Sequence, residues 1–132
     1  MKEKLQKLYN IDIYINKENV NLDDFISEYE FETLLNECFV YPYDIVEEKE
    51  NFILRDYAAV KVVDKFTNYG DLSKLSGIFK TVYMDETDID EIKLGAVAIA
   101  NKLGYFEDDY NFFPKNNLTY KEALNLVYNI IK

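Results

Sequence analysis

The stretch of residues 116–131, NNLTYKEALNLVYNII, decides the fold that we predict for this chain. Thr119 and Glu122 have the spacing of a capping box, in which each side chain accepts a hydrogen bond from the backbone N–H of the other residue. Steps of three and four, typical of one face of an α-helix, separate the apolar residues Leu118, Ala123, Leu124, Leu126, Val127, Ile130 and Ile131. The stretch therefore predicts a helix near the end of the chain, with Thr119 and Glu122 as folding residues.

A similar apolar stripe occurs twice more in the chain, and in one of the two it follows the same kind of helix start. Residues 26–39, ISEYEFETLLNECF, place Ser27 and Glu30 at capping-box spacing before an apolar stripe. Residues 53–66, ILRDYAAVKVVDKF, have the stripe, but Leu54 and Tyr57 stand where the box would be. We predict a helix in each stretch.

The three stretches also share a register. Residues 33–66 shifted by 65 positions align on residues 98–131 without a gap, and Ile53 then falls on Leu118. Ile26 can be aligned on Leu118 in the same way, although the residues before Ile26 fit less well. One helix–loop–helix unit cannot bury its own apolar stripe, so we expect repeated units that pack against each other.

A further helix is predicted over residues 88–104, DIDEIKLGAVAIANKLG. Asp88 is the expected N-cap and Gly104 the expected stop. Helical spacing relates Ile89, Ile92, Ala96, Ile99, Ala100 and Leu103. Residues 67–87 read as a connector with one short helix at 71–76, and residues 105–117 as an aromatic, acidic loop.

Composition narrows the possible functions. The 132 residues suit a single domain, and 48% of them are apolar, which is enough for a core. A net charge of −10 argues against nucleic-acid binding and against adsorption to anionic membranes. No apolar stretch of about 18 residues is present, so we expect no membrane insertion.

Catalysis and metal binding have little support in the residues available. The chain has no histidine and one cysteine, Cys38, which excludes histidine-based triads, histidine metal sites and an internal disulfide. Acidic runs starting at Asp85 and Asp108 lack the glycine and glutamate of an EF-hand loop. Nothing places two of the 25 carboxylates in a cleft. We therefore expect no enzyme activity, no metal and no cofactor.

Residues 83–131 resemble a motif of the S-layer homology (SLH) family. The landmarks of that motif occur in order: an aromatic–x–Asp start, a Leu-Gly turn, an F-x-P loop and a helix opening similar to "lTRaEa". They are Tyr83-Met-Asp85, Leu103-Gly104-Tyr105, Phe112-Phe113-Pro114 and Leu118–Ala123. The resemblance covers about 50 residues and is weaker in the earlier stretches.

The resemblance implies an all-α fold in which three helix–loop–helix units form a pseudo-threefold arrangement around a central helical bundle. The units would span roughly residues 1–39, 40–82 and 83–132 of one domain. Members of the family anchor bacterial surface proteins to secondary cell-wall polysaccharide, which often carries pyruvylated sugars. The chain would then act at the extracellular cell surface. Because its N-terminus lacks the apolar region of a signal peptide, it would be part of a longer surface protein.

The same resemblance suggests where a glycan would bind. The family uses a motif arginine in the grooves between units, and Arg55 occupies that position, whereas Glu28 and Tyr120 occupy the other two. A guanidinium can hold a carboxylate by two parallel hydrogen bonds. We expect Tyr110 and Tyr120 to be exposed and Phe112 to be in the core. The predicted ligand-binding residues are Arg55, Asp56, Tyr110, Lys115, Tyr120 and Lys121.

Other interpretations stay open at this point. Arg55 can be an ordinary arginine paired with Asp56 or Glu122. The missing motif arginines also fit an SLH-like structural or protein-interaction module whose glycan sites have decayed. A third alternative is a small intracellular protein whose resemblance to the family is accidental.

Overall fold

The computed structural model describes residues 21–38 and 51–131. Those residues form five α-helices and a short 3-10 helix, Glu86–Asp88, with no strand longer than an isolated bridge. The helices are α1 (Glu28–Cys38), α2 (Arg55–Phe66), α3 (Gly70–Ser73), α4 (Glu91–Lys102) and α5 (Tyr120–Ile131). The all-α prediction is confirmed. Residues 1–20 and 39 of the first predicted unit, 40–50 of the second and 132 of the third lie outside the described residues.

The chain divides into two compact units. Unit 1 comprises Met1–Ile53 and Asn117–Lys132, and unit 2 comprises Leu54–Asn116. Unit 1 thus contains α1 and α5, and unit 2 contains α2, α3 and α4. Each unit has its own set of buried apolar side chains, and each is described separately below.

Both predicted capping boxes of unit 1 are present. At α1, the Glu30 N–H donates to Ser27 Oγ at 3.0 Å, and the Ser27 N–H donates to Glu30 Oε1 at 3.2 Å. At α5, the Glu122 N–H donates to Thr119 Oγ1 at 3.1 Å, and the Thr119 N–H donates to Glu122 Oε1 at 3.0 Å. Each box therefore satisfies two backbone donors that a helix start leaves unpaired.

Three residues of unit 1 form a closed cycle of backbone hydrogen bonds. Ile26 N–H donates to Leu118 O at 2.9 Å, Leu118 N–H to Ile53 O at 2.8 Å, and Ile53 N–H to Ile26 O at 3.3 Å. All three side chains are buried, with at most 1% of their surface exposed. We call this feature the backbone ring. It joins the three residues that the sequence alignment placed in equivalent positions.

Further backbone hydrogen bonds lie beside the ring. In each, the residue two positions after one ring residue donates its N–H to the carbonyl of the residue two positions before another. The Glu28 N–H donates to Asn51 O at 2.8 Å. Glu28 lies two residues after Ile26, and Asn51 lies two residues before Ile53. Tyr120 N–H donates to Asp24 O with the same offsets at 3.0 Å. These bonds serve the first N–H groups of α1 and α5, which have no partner within their own helix.

In unit 2, α2 and α4 pack against each other, and their shared face is made of small residues. The buried side chains of the two helices include Ala58, Ala59, Val62, Val63, Ala96, Val97 and Ala100. Small side chains allow the backbones to approach closely. The third helix of the unit, α3, also approaches α4 closely at Gly95, where an added β-carbon would lie 2.1 Å from Ser73 O.

The ends of α4 differ partly from the prediction. Gly104 has a φ of +81° and closes a Schellman motif, because Tyr105 N–H donates to Ala100 O and Gly104 N–H to Asn101 O. The N-cap, however, is Asp90 and not Asp88, which belongs to the 3-10 helix. The predicted stripe is also wrong at Ile92 and Leu103, which are 66% and 44% exposed, because the buried face runs through Gly95 and its neighbours.

Candidate functional site

Arg55 is the first residue of α2, and its side chain lies beside a cluster of aromatic rings. Its Nε–H donates to Phe112 O at 2.7 Å. The guanidinium carbon lies 5.0 Å from the centroid of the Phe112 ring and 5.6 Å from that of Phe106, within the range of cation–π attraction. Arg55 is half-buried in this setting. Burial lowers its pKa, but an arginine guanidinium stays charged.

The aromatic cluster beside Arg55 consists of three rings, those of Tyr83, Phe106 and Phe112. Phe112 packs edge-on against Phe106, with 5.0 Å between ring centroids, and at a tilt against Tyr83, with 5.1 Å between centroids. Tyr83 is buried, and its hydroxyl donates to Glu107 O at 2.9 Å. Burial raises the pKa of Tyr83 to about 12. The cluster therefore presents an apolar surface to a permanent cation.

The carboxylate of Asp85 holds the loop that carries Phe112. Phe112 N–H donates to Asp85 Oδ1 and Phe113 N–H to Asp85 Oδ2, both at 2.8 Å. Met84 N–H donates to Tyr110 O at 2.7 Å. The aromatic–x–Asp and F-x-P landmarks of the sequence thus bond directly to each other. Phe113 has a φ of +56°, which is unusual for a residue with a side chain.

A second cluster in unit 2 is an ion-pair network around Asp56. Asp56 Oδ2 lies 2.7 Å from Lys115 Nζ and 3.4 Å from Lys93 Nζ, and both lysines also approach Asp90. Hydrogen bonds to Asp56 and Asp90 raise the pKa of Lys115. Hydrogen bonds from Lys115 and Lys93 lower the pKa of Asp90. The network fixes Lys115, which is half exposed, beside the start of α2.

Asp56 itself is fully buried, so its role in this structure is to hold the two lysines. Its Oδ1 atom is buried and has no hydrogen-bond partner among the described residues. In place of Arg55, which was one alternative partner, the Asp56 carboxylate binds Lys93 and Lys115.

Tyr120 was expected to be exposed, and this prediction is wrong. Only 4% of the residue is exposed, and its hydroxyl lies 2.8 Å from both carboxylate oxygens of Glu30. A phenol can bury its ring when its hydroxyl finds an acceptor, and the capping glutamate of α1 supplies one. Sequence reasoning missed this contact. It did not indicate that Glu30 both caps α1 and accepts a hydrogen bond from the buried Tyr120.

The six predicted ligand-binding residues fall in two places. Arg55, Asp56, Tyr110 and Lys115 belong to unit 2, whereas Tyr120 and Lys121 belong to unit 1. Tyr110 is 76% exposed, as expected. Lys121 is half-buried at the start of α5, and its backbone N–H donates to Leu22 O at 3.0 Å. Phe112 is fully buried, which confirms its predicted place in the core.

Comparison of the chain with protein-family models, curated proteins and solved structures gave no match. Across the part of the chain that the structure describes, no helix has the length and apolar character to cross a membrane. The same residues contain no group of three or more side chains that could hold a metal ion. The interpretation of the site therefore depends on its geometry.

Proposed function

We propose that this chain is a non-catalytic, SLH-like domain that binds an acidic polysaccharide of the bacterial cell wall through Arg55. The observation that carries the proposal is the setting of Arg55, a half-buried cation whose Nε is bonded to Phe112 O. A fixed guanidinium suits a planar anion such as a carboxylate. The chain would act at the cell surface as part of a longer surface protein.

The chemistry of the bacterial cell-wall polysaccharide supports a sugar ligand in particular. A pyruvate ketal combines one carboxylate with a methyl group and a C–H-rich sugar ring. The carboxylate matches Arg55, and the apolar parts match a solvent-exposed aromatic ring of the same unit, such as that of Phe113, which is 50% exposed. The exposed Tyr110 and the half-exposed Lys115 belong to the same unit and offer further contacts.

The backbone ring supports the three-unit arrangement that this proposal requires. Ile26, Ile53 and Leu118 precede α1, α2 and α5, and each donates to one of the other two and accepts from the remaining one. A cycle in which every member has the same role is what a pseudo-threefold axis would produce. We propose that the three motif helices are related by such an axis.

The experiment is a binding assay with purified wall polysaccharide. We expect the wild-type chain to bind and Arg55→Ala to lose at least about tenfold in affinity, since a charged hydrogen bond is lost. Lys65→Ala, which removes a cation from the last turn of the same helix, is the matched control and should bind normally. Equal binding by wild type and Arg55→Ala would remove Arg55 from the site.

A second candidate function is a structural or protein-interaction module. The observation that favours it is Tyr120, which stands at a motif-arginine position and is buried against Glu30. At that position the contact serves the core of unit 1. If the folded wild-type chain does not bind the polymer at any accessible concentration, this second function replaces the first.

A further inference from the structure

We propose that Asp85 is a positioning residue for Arg55, and that it acts through the single peptide unit between Phe112 and Phe113. This inference deepens the proposed function, since it concerns how the glycan-binding arginine is held. The Asp85 side chain acts on Arg55 indirectly, through a backbone group that both residues contact.

The geometry of the peptide unit is the first step. Its carbonyl, Phe112 O, accepts from Arg55 Nε at 2.7 Å, and its N–H, on Phe113, donates to Asp85 Oδ2 at 2.8 Å. One peptide therefore lies between a carboxylate and a guanidinium. Each charge polarises the peptide in the direction that strengthens the other bond, so the two bonds reinforce each other.

The backbone conformation is the second step. Phe113 has a φ of +56° and precedes Pro114, and this combination is disfavoured for a residue with a β-carbon. The conformation persists because other contacts hold it. Two of these contacts are hydrogen bonds that the Asp85 carboxylate accepts from the N–H groups of Phe112 and Phe113. In a third, Asn116 N–H donates to Phe113 O at 3.1 Å.

The consequence concerns the plane of the guanidinium. A bond at Nε and contact with the Phe106 and Phe112 rings fix that plane. Recognition of a carboxylate by two parallel hydrogen bonds requires a fixed plane, not only a positive charge. Without Asp85, Arg55 would keep its charge but lose its orientation.

A rival role for Asp85 as a direct ligand-binding group is less consistent with its contacts. Both of its carboxylate oxygens already accept a backbone N–H. Among the described residues there is no cluster of three carboxylates or other ligands that would make it part of a metal site.

The test uses a property of this sequence, which is that Arg55 is its single arginine. In protein labelled with ¹⁵N, the Nε–Hε group of arginine therefore gives one cross-peak, and Arg55→Lys removes it. In wild type we expect this proton to exchange slowly with water. In Asp85→Asn we expect a shifted peak and exchange at least about tenfold faster, because the peptide loses its anionic partner.

The matched control is Asp88→Asn, which makes the same chemical change at an exposed carboxylate of the neighbouring 3-10 helix. It should leave the Nε–Hε peak in place. If Asp85→Asn does not fold, Asp85→Glu keeps the charge and displaces it by one methylene, and it should also shift the peak. A peak that stays at its wild-type position in a folded Asp85 variant would overturn the proposal.

A binding measurement separates this inference from the proposed function. The probe is a methyl glycoside that carries a pyruvate ketal on two of its hydroxyls, and the same glycoside without the ketal is the control. We expect Asp85→Asn to weaken binding of the ketal probe about tenfold while Arg55 is still present. If wild type does not bind the probe but the peak moves in Asp85→Asn alone, the positioning role stands and the proposed function fails.

Discussion

Phe113 shows at the scale of one residue how this loop stores strain. Its positive φ brings the β-carbon of an L-residue close to its own backbone, at a cost of about 1–2 kcal/mol. Glycine has no β-carbon and adopts such a φ freely. The ring of Phe113 is 50% exposed, so removing it costs the molecule only part of a buried phenylalanine.

We therefore predict a reversal of the usual order of glycine and alanine at this position. The free energy of unfolding should be about 1 kcal/mol higher for Phe113→Gly than for Phe113→Ala, because alanine retains the strain. Elsewhere in a loop, alanine is normally the more stable of the two, since glycine makes the unfolded chain more flexible. Urea denaturation of both variants measures the difference. An alanine variant that is equal or more stable would contradict the strain.

Tyr83 leads to a prediction about pH. Burial raises its pKa from about 10 to about 12, so between these values the unfolded chain releases the proton first. The free energy of unfolding should therefore fall as the pH rises from 10 towards 12, and it should be unaffected by this group below pH 10. In Tyr83→Phe that part of the decline should be absent. Denaturation at pH 9, 10 and 11 measures the slope, and identical slopes in both proteins would contradict the prediction.

Sequence reasoning at this scale worked for local contacts and failed for distant ones. Thr119 and Glu122 are three residues apart, so their spacing alone identified the bonds that they form. Tyr120 is bound by Glu30, which lies 90 residues away, and nothing in the sequence near Tyr120 indicates that acceptor. Asp85 was noted as the end of a motif, but its hold on the loop requires contacts across 27 and 28 residues.

At the scale of helices, α1 and α5 begin with a side-chain cap, whereas α2 begins without one. The N-cap of α2 is Leu54, which makes no side-chain hydrogen bond. The backbone carbonyls of Asn116 and Pro114 accept the N–H groups of Arg55 and Asp56 instead. The missing box of α2 was visible in the sequence, but the substitute acceptors come from a distant segment and were not.

We predict that Ser27→Ala destabilises the protein by about 1 kcal/mol, because the Glu30 N–H loses its acceptor in a nearly buried site. Ser76→Ala makes the same chemical change at an exposed position of the connector and is the control. It should change the free energy of unfolding by less than about 0.5 kcal/mol. Equal effects in thermal or urea denaturation would show that the capping box of α1 does not stabilise the fold.

Gly95 within α4 and Gly104 just after its end provide a second prediction at this scale. A β-carbon on Gly95 would lie 2.1 Å from Ser73 O, a backbone atom that cannot move aside alone. Gly95→Ala should therefore cost more than about 3 kcal/mol, although alanine favours helices. A β-carbon on Gly104 would meet nothing within 4 Å, so Gly104→Ala should cost only the strain of its positive φ, about 1–2 kcal/mol. Comparable losses in the two variants would contradict the close approach of α3 and α4.

For the chain as a whole, the backbone ring connects segments that are far apart in sequence. Sequence alignment indicated that Ile26, Ile53 and Leu118 occupy equivalent positions, because the apolar stripes that follow them share one register. It gave no indication that these residues bond to each other, since a repeat pattern specifies similarity and not contact. The ring is therefore a result of the three-dimensional structure, and the order of its three bonds could not be predicted.

The ring predicts a common opening of three amides. Each ring residue is both donor and acceptor, and all three side chains are buried, so one bond cannot open to water without displacing its neighbours. Native-state hydrogen exchange should therefore give Ile26, Ile53 and Leu118 the same opening free energy within about 0.5 kcal/mol, close to that of global unfolding. Ile26→Ala should lower all three values together by about 2–5 kcal/mol, since it removes a buried side chain at one ring position. If only the Ile26 amide became less protected, the ring would consist of three independent bonds, and the proposed pseudo-threefold arrangement would lose its main structural support.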